Sequence, residues 1–330
     1  MASHEGVEPM ARKPRLLVTR RLPEAVEARA ARNFYAELNP ADRAYDRSGL
    51  IAAAGRCDAL LVCHTDALSA NVIERLPDSV RALATFSVGY EHIDVAAAQR
   101  RGIIVTNTPD VVTTSTAEIT LLLLLGAARR ASEGERTIRV DGWQGWTPTQ
   151  LLGTQLSGKR LGIIGMGRIG QAVAQRARGF DMRILYHNRR PLSPEQEHGA
   201  IYYQHLDRML QACDFLSLHC PLTDDTHHLL NASRLKHLPP EAIVVNAARG
   251  GLIDDEALIA ALQSGRLAAA GLDVYNHEPH LHPSYQTLPN TLLLPHLGTA
   301  THEARISMGF RALDNLEAVF AGREPLDRIV

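Results

Sequence analysis

The chain has 330 residues, a length that as a soft prior suggests about two domains. Lys and Arg number 35 against 36 Asp and Glu, so the formal net charge of −1 leaves no basic surplus to draw the chain to nucleic acid or to anionic lipid. With 45% hydrophobic and 22% charged residues the composition is that of a globular protein with buried cores, which excludes fibre and wholesale disorder.

Residues 1–13 are polar, include two glutamates and lack an apolar stretch, which argues against a signal peptide or an anchor and predicts a frayed tail. From Pro14 short apolar runs alternate with longer amphipathic ones. Strands are expected at 16–18, 58–63, 83–86 and 103–105, with a helix at 23–32 after the first. This rhythm predicts a parallel, doubly wound sheet. A long helix should begin near Thr114 or Ser115, whose hydroxyls suit an N-cap, and run to about Arg130. Its most apolar part, 119–128, is about half the roughly 20 residues needed to cross a bilayer, so it reads as a buried helix and no membrane partner is expected. Residues 141–158, rich in Gly, Gln, Thr and Trp, read as an extended arm. A strand then starts at Arg160, and others follow at 183–186, 215–219, 242–246, 270–274 and 291–294, with helices such as 254–264 between them. The fold class is therefore α/β, with two doubly wound parallel-sheet domains. Four cysteines, Cys57, Cys63, Cys213 and Cys220, lack C-x-x-C spacing and read as reduced thiols of a cytoplasmic protein.

Gly165-Met166-Gly167-Arg168-Ile169-Gly170 follows a strand and opens a helix, the context in which this glycine pattern binds a dinucleotide. The first glycine permits a tight turn, the second lets backbone approach a pyrophosphate, and the third allows close helix packing. The helix N-terminus offers free N–H groups and a positive dipole end. A site for NAD wants an acidic side chain at the end of the next strand to bond the ribose 2′-hydroxyl. Asn188, Arg189 and Arg190 stand there instead. Two guanidinium groups suit a 2′-phosphate, so NADPH is preferred, while NADH use stays open.

Three polar residues at strand ends of the second domain exceed what a packed core needs. Arg249 lies just past the strand 242–246, Glu278 beyond 270–274, and His296 beyond 291–294, all at the carboxyl edge where open α/β sheets bind ligands. Reduction of a 2-keto acid requires an anchor for its carboxylate, a hydride donor and an acid for the developing alkoxide. Arg249 suits the anchor and polariser. His296 suits the acid, with Glu278 as the carboxylate that holds the imidazolium. His277, His280 and His282 do not share a helix face and no H-E-x-x-H pattern occurs, so no metal is expected.

Together with the glycine run, Asn246-Ala247-Ala248-Arg249-Gly250, Gly271-Leu272-Asp273-Val274-Tyr275-Asn276-His277-Glu278-Pro279 and Leu294-Pro295-His296-Leu297-Gly298-Thr299 resemble the D-isomer-specific 2-hydroxyacid dehydrogenases, in the glyoxylate/hydroxypyruvate reductase branch. The resemblance runs from about Arg15 to near the end. It implies a flavodoxin-like substrate domain of residues 14–110 and 300–330, interrupted by a Rossmann cofactor domain of residues 111–299, with hinges near 110 and 300. It implies that backbone amides of Val88 and Gly89 hold the substrate carboxylate, and that Thr116, Ala247, Gly298 and Thr299 contact the cofactor. Arg249 and His296 would do so as well. It implies too that Asp273 bonds the nicotinamide amide and that Cys220 and Pro221 pass beside the adenosine. Trp146 resembles a tryptophan that crosses to the partner's substrate, which implies a homodimer formed through the helix and arm of 115–155. The expected activity is NADPH-dependent reduction of glyoxylate and hydroxypyruvate to glycolate and D-glycerate. Two alternatives stay open: a non-catalytic NAD(P)-sensing or corepressor-like module on the same fold, and a reductase of D-lactate or another 2-keto acid.

Overall fold

The computed structural model describes residues 12–330, so most of the tail expected at 1–13 lies outside the described residues. The chain divides into two compact units: one holds the chain up to Val112 together with Thr301–Val330, the other Thr113–Ala300.

In the first unit β1 (Arg15–Val18), β2 (Tyr35–Glu37), β3 (Ala59–Val62), β4 (Ala82–Thr85) and β5 (Ile104–Thr106) form a parallel sheet in the order β2-β1-β3-β4-β5. This is the order of the flavodoxin-like doubly wound fold. Every residue of β3 and β4 is buried, as a parallel sheet covered on both faces demands. The C-terminal helix His302–Phe320 belongs here. A side chain at Gly309 would stand 2.4 Å from Val26, so only glycine lets this helix press on Glu24–Asn33. Arg29 then bonds Asp314 at 2.5 Å and Glu317 at 2.9 Å across the contact. The last residues return to β5, where Ile329 donates to Val105 and Arg328 bridges Thr106. The C-terminus thus completes a unit that the N-terminal part of the chain began.

The second unit is a seven-stranded parallel sheet of β6 (Arg160–Ile164), β7 (Arg183–His187), β8 (Ile201–Tyr202), β9 (Phe215–Leu218), β10 (Ala242–Asn246), β11 (Leu267–Leu272) and β12 (Thr291–Leu293). Their order is β12-β11-β10-β9-β6-β7-β8, so strand order reverses between β6 and β9. Ligands of such sheets bind outside the carboxyl ends at that reversal. Arg160 and Asp214 fasten the opposite ends of these two strands with bonds of 2.7 and 3.0 Å, which holds the Asp214 carboxyl below its ordinary range, chiefly through the guanidinium.

The long helix spans Thr113–Ala128, so Thr114 and Ser115 sit inside its first turn and are not its N-cap. It is buried on several sides at Ala117, Thr120, Leu121, Leu123 and Leu124, as expected of a helix without a polar face. Among the described residues no helix is long and apolar enough to cross a membrane. A second helix, Ala131–Arg139, precedes the arm, and from 141 to 158 there is neither helix nor strand. β11 starts at Leu267 and ends at Leu272, earlier than its apolar run suggests, which sets Asp273 and Val274 beyond the strand.

Candidate active site

β6 leads directly into the glycine turn. Gly165 has φ +93°, and a Cβ there would lie 2.6 Å from the Cys220 nitrogen, so both conformation and space require glycine. At Gly170 a Cβ would meet the Gly165 carbonyl at 2.4 Å, which explains the third glycine by packing. Gly167 differs: a Cβ there would meet nothing within 4 Å. Protein packing does not ask for glycine at that point, whereas a bound diphosphate would. Gly167 is also the N-cap of the eleven-residue helix Arg168–Arg178, whose first N–H groups open beside it. These residues fit a dinucleotide.

Asn188 Oδ1 accepts from the Met166 N–H at 2.7 Å and so ties the end of β7 to the turn. Beyond it His187, Arg189, Arg190, Tyr202, Gln204 and His205 line a cavity of about 650 Å³, and no carboxylate is among the lining residues. Cys220 and Pro221 follow β9, with Cys220 against Gly165; burial pushes its thiol up to about 11, so it stays protonated at neutral pH. Just before it, His219 bonds Ser217 Oγ at 2.8 Å, and burial lowers its imidazole to about 4.

The ends of β10, β11 and β12 carry the other cluster. His296 Nδ1 lies 2.7 Å from Glu278 Oε2. An ionised carboxylate only accepts, so Nδ1 carries the hydrogen toward Glu278. The other Glu278 oxygen, Oε1, accepts from the Tyr275 N–H at 2.9 Å. The two side chains are 34% and 27% exposed, reachable by a small molecule yet partly shielded from water. His296 holds φ +54°. Asp273 maintains that turn: its carbonyl accepts from the His296 N–H at 2.9 Å, and its carboxylate accepts from Leu297 and Gly298 at 2.6 and 2.7 Å. Burial raises the Asp273 carboxyl above its ordinary range; those two N–H groups and the His296 charge oppose the rise, and Glu278 adds to it. Thr116 Oγ1 donates to the Gly298 carbonyl at 3.4 Å, so the long helix reaches the same loop, with half-buried Thr299 beside it.

Arg249 follows β10 in extended backbone and donates from Nη1 to the Ala248 carbonyl at 2.7 Å. Its loop is shaped by Asn246, which is 1% exposed, accepts from Ala248 at 3.0 Å and donates to the Arg249 carbonyl at 2.8 Å. Ala247 between them is buried. Asn246 is a support that sequence reasoning passed over; a polar residue closing an apolar strand was the available signal. The pocket residues Tyr202, Gln204 and His205 were missed as well, because they end or follow a two-residue edge strand with no apolar run to mark it.

Within the second unit, then, Arg249, Asp273, Glu278, His296, Gly298, Thr116 and the glycine turn share one sheet edge. Val88 and Gly89 lie in the first unit, in the loop after β4. Asn107 Nδ2 holds the Val88 carbonyl at 2.7 Å and Ser87 Oγ the Gly89 carbonyl at 2.6 Å, which orients both peptide planes. Trp146 stands apart from the cluster, 78% exposed on the arm.

Residues 121–298 match the family model described as the NAD binding domain of D-isomer-specific 2-hydroxyacid dehydrogenases. The chain is 44% identical over 314 residues to a glycerate dehydrogenase of Hyphomicrobium methylovorum, covering 94% of this chain and 98% of that protein. It is 41% identical over 318 residues to a glyoxylate reductase of Thermococcus litoralis, covering 95% and 96%. Its structure is similar to that of an NADPH-dependent glyoxylate/hydroxypyruvate reductase of Sinorhizobium meliloti crystallised with NADP and malonate, with TM-score 0.86, 34% identity and coverage of 96% and 97%. A paired imidazole and carboxylate beside an arginine loop and a glycine turn, on a chain alike over nearly its whole length, place this protein in the family of D-isomer-specific 2-hydroxyacid dehydrogenases, NAD(P)-dependent reductases of 2-keto acids.

Proposed function

We propose that the protein is an NADPH-preferring reductase of small 2-keto acids, glyoxylate and hydroxypyruvate, giving glycolate and D-glycerate. The observation that carries this reading is the 2.7 Å contact between His296 Nδ1 and Glu278 Oε2, which assigns proton transfer to a substrate oxygen to the other ring nitrogen, Nε2. A module that only senses a nucleotide has no use for such a pair. When bound, the reduced nicotinamide supplies the hydride. Arg249 anchors the substrate carboxylate and draws charge toward the carbonyl oxygen as it becomes an alkoxide. His296 protonates that oxygen, and Glu278 stabilises the imidazolium beforehand. Val88 and Gly89 contribute backbone amides to the carboxylate. Asp273 has both oxygens engaged by backbone N–H groups, which supports a part in holding the loop of His296 in addition to any cofactor contact.

The carboxylate-free lining around Arg189 and Arg190 supports a 2′-phosphate and hence NADPH. Ile138, Val140, Trp143, Trp146 and Leu152 are each at least 55% exposed along one stretch of chain, which supports a homodimer that covers them, with Trp146 delivered to the partner. Light scattering at micromolar concentration reads the dimer directly. A cytoplasmic, reducing setting suits four free cysteines. The central test is a panel of 2-keto acids assayed with NADPH and NADH. Glyoxylate and hydroxypyruvate should give the highest kcat/KM, with NADPH ahead by at least about tenfold; absence of turnover with every 2-keto acid would return the sensing module to first place.

A further inference from the structure

Glu278 sits on an irregular loop, and the His296 contact depends on where that loop is held. Two residues earlier, Asn276 Nδ2 donates to Asp255 Oδ2 at 2.9 Å and to the Ile253 carbonyl at 3.3 Å. Seven residues later, the Tyr285 hydroxyl donates to the other oxygen of the same carboxylate, Asp255 Oδ1, at 2.8 Å. Tyr285 is 1% exposed. Asp255 opens the helix Asp255–Gln263, whose N-cap Asp254 accepts from Ala257, so this anchor stands on a capped, packed element. From the other side the arginine loop presses on the same segment: a Cβ at Gly250 would overlap the Tyr275 carbonyl carbon at 2.0 Å and the Asn276 nitrogen at 2.4 Å. Tyr275 in turn bonds the Leu294 carbonyl at 2.9 Å, two residues before His296, and its N–H grips Glu278.

We propose that Asp255 and Asn276 are positioning residues of the reductase: the Asp255 carboxylate, through Asn276 and Tyr285, clamps the loop on both sides of Glu278 and so sets its approach to His296. Neither residue touches His296. The inference rests on the reading of Glu278 and His296 as the proton-donating pair. Without the clamp, loop 275–285 keeps its Tyr275 tether and the exposed His282–Glu256 contact at 3.1 Å but loses the Asp255 bonds on both sides of Glu278, so Glu278 samples positions away from the imidazole. Within the second unit, Glu278 then faces His296 less often, and Asp273 as before.

The test uses full-length protein with NADPH and glyoxylate. A reductive step needs a protonated acid, so turnover falls on the alkaline side, and a carboxylate held nearby moves that fall to higher pH. Asn276→Ala should move the alkaline limb of kcat to lower pH by about half to one unit with KM for NADPH unchanged. In a Glu278→Gln background the same substitution should add no further shift, because the two act in series. Tyr285→Phe removes one hydroxyl from the same clamp and should give a smaller shift in the same direction; it stands in if Asn276→Ala does not fold by circular dichroism. An alkaline limb unmoved in both variants, or a shift that persists in full alongside Glu278→Gln, overturns the positioning role. A limb that Glu278→Gln alone leaves in place would instead show that the pair itself was misread, and would take the clamp's role down with it.

Discussion

Two histidines stand at the carboxyl edge of the same sheet and are prepared for opposite purposes. His219, at the end of β9 behind the glycine turn, has Ser217 as its bonding partner and is held neutral by burial, its imidazole lowered to about 4. His296, past β12, is given a carboxylate at 2.7 Å and a side chain one-third exposed. The residue type is the same; the neighbour decides the chemistry. Burial without a counter-charge keeps His219 neutral, while the carboxylate at Nδ1 fits His296 to the proton-donating role proposed for it. The same division separates the two halves of the site. The half proposed for the cofactor is built of backbone and of space left open by glycines, and the half proposed for the reaction is built of charged side chains on separate loops.

Substituting one member of each half tests this division. The largest effect belongs to His296→Ala, which should reduce kcat about 10²- to 10⁴-fold while leaving NADPH affinity, measured by fluorescence titration, where it was. A loss of affinity as large as the loss of turnover would merge the two halves. Next comes Gly165→Ala. Its positive φ and the 2.6 Å approach of Cys220 nitrogen should weaken NADPH by about 10- to 100-fold, with a drop in melting temperature. Gly167→Ala sharpens the contrast: with nothing of the protein within 4 Å, it should leave melting of the apoprotein unchanged and still weaken NADPH.

How much of this was legible in the sequence follows from the same division. The glycine turn could be read in full because its requirements fall within six consecutive residues and are steric. The parallel, doubly wound character of both sheets followed from the alternation of apolar runs and helices, whereas the order of strands within each sheet did not. Arg249, Glu278 and His296 were legible as polar residues just past strand ends, although their contact distances are tertiary facts. β2 and β8 went unread: at two or three residues on a sheet edge, with Tyr35 and Ile201 exposed, they have no apolar pattern to announce them. The helix Ala131–Arg139 was left unassigned between the long helix and the arm because none of its residues is buried. The clamp from Asp255 to Asn276 and Tyr285 was invisible, since it joins residues 21 and 30 positions apart through side chains that any loop or helix start could carry.

A smaller effect is expected where the cofactor half also uses charge. Arg189 and Arg190 are exposed at the mouth of their cavity, so solvent weakens each contact with a phosphate. Replacing both by alanine should raise KM for NADPH about tenfold, equivalent to one charge-assisted hydrogen bond, and change KM for NADH by less than about twofold. Equal losses for both cofactors would mean that the pair serves the fold or the pyrophosphate and leaves the 2′-position unread.

The smallest effect is a dependence of stability on pH, and it tests His219. In the unfolded chain this imidazole takes up a proton near its ordinary value of about 6.5, whereas in the folded chain it resists until about 4. The unfolded state therefore binds more protons between those values, and folding stability falls as pH drops from about 6.5 to about 4, then levels off. The residue as a whole is partly exposed, so the penalty is discounted to about 1–2 kcal/mol. Urea unfolding followed at steps across that range measures it. Acidic groups such as Asp214, held below its ordinary range by Arg160, lose their own stabilisation at the lower end of the window and below, so the two contributions separate by variant. His219→Gln keeps a partner for Ser217 without a titrating ring and should flatten the slope above about pH 5. His296→Gln should not flatten it in the same way, because it leaves the buried His219 ring in place. If the two substitutions changed the slope alike, the difference between a histidine kept neutral and one kept ready to donate would no longer stand.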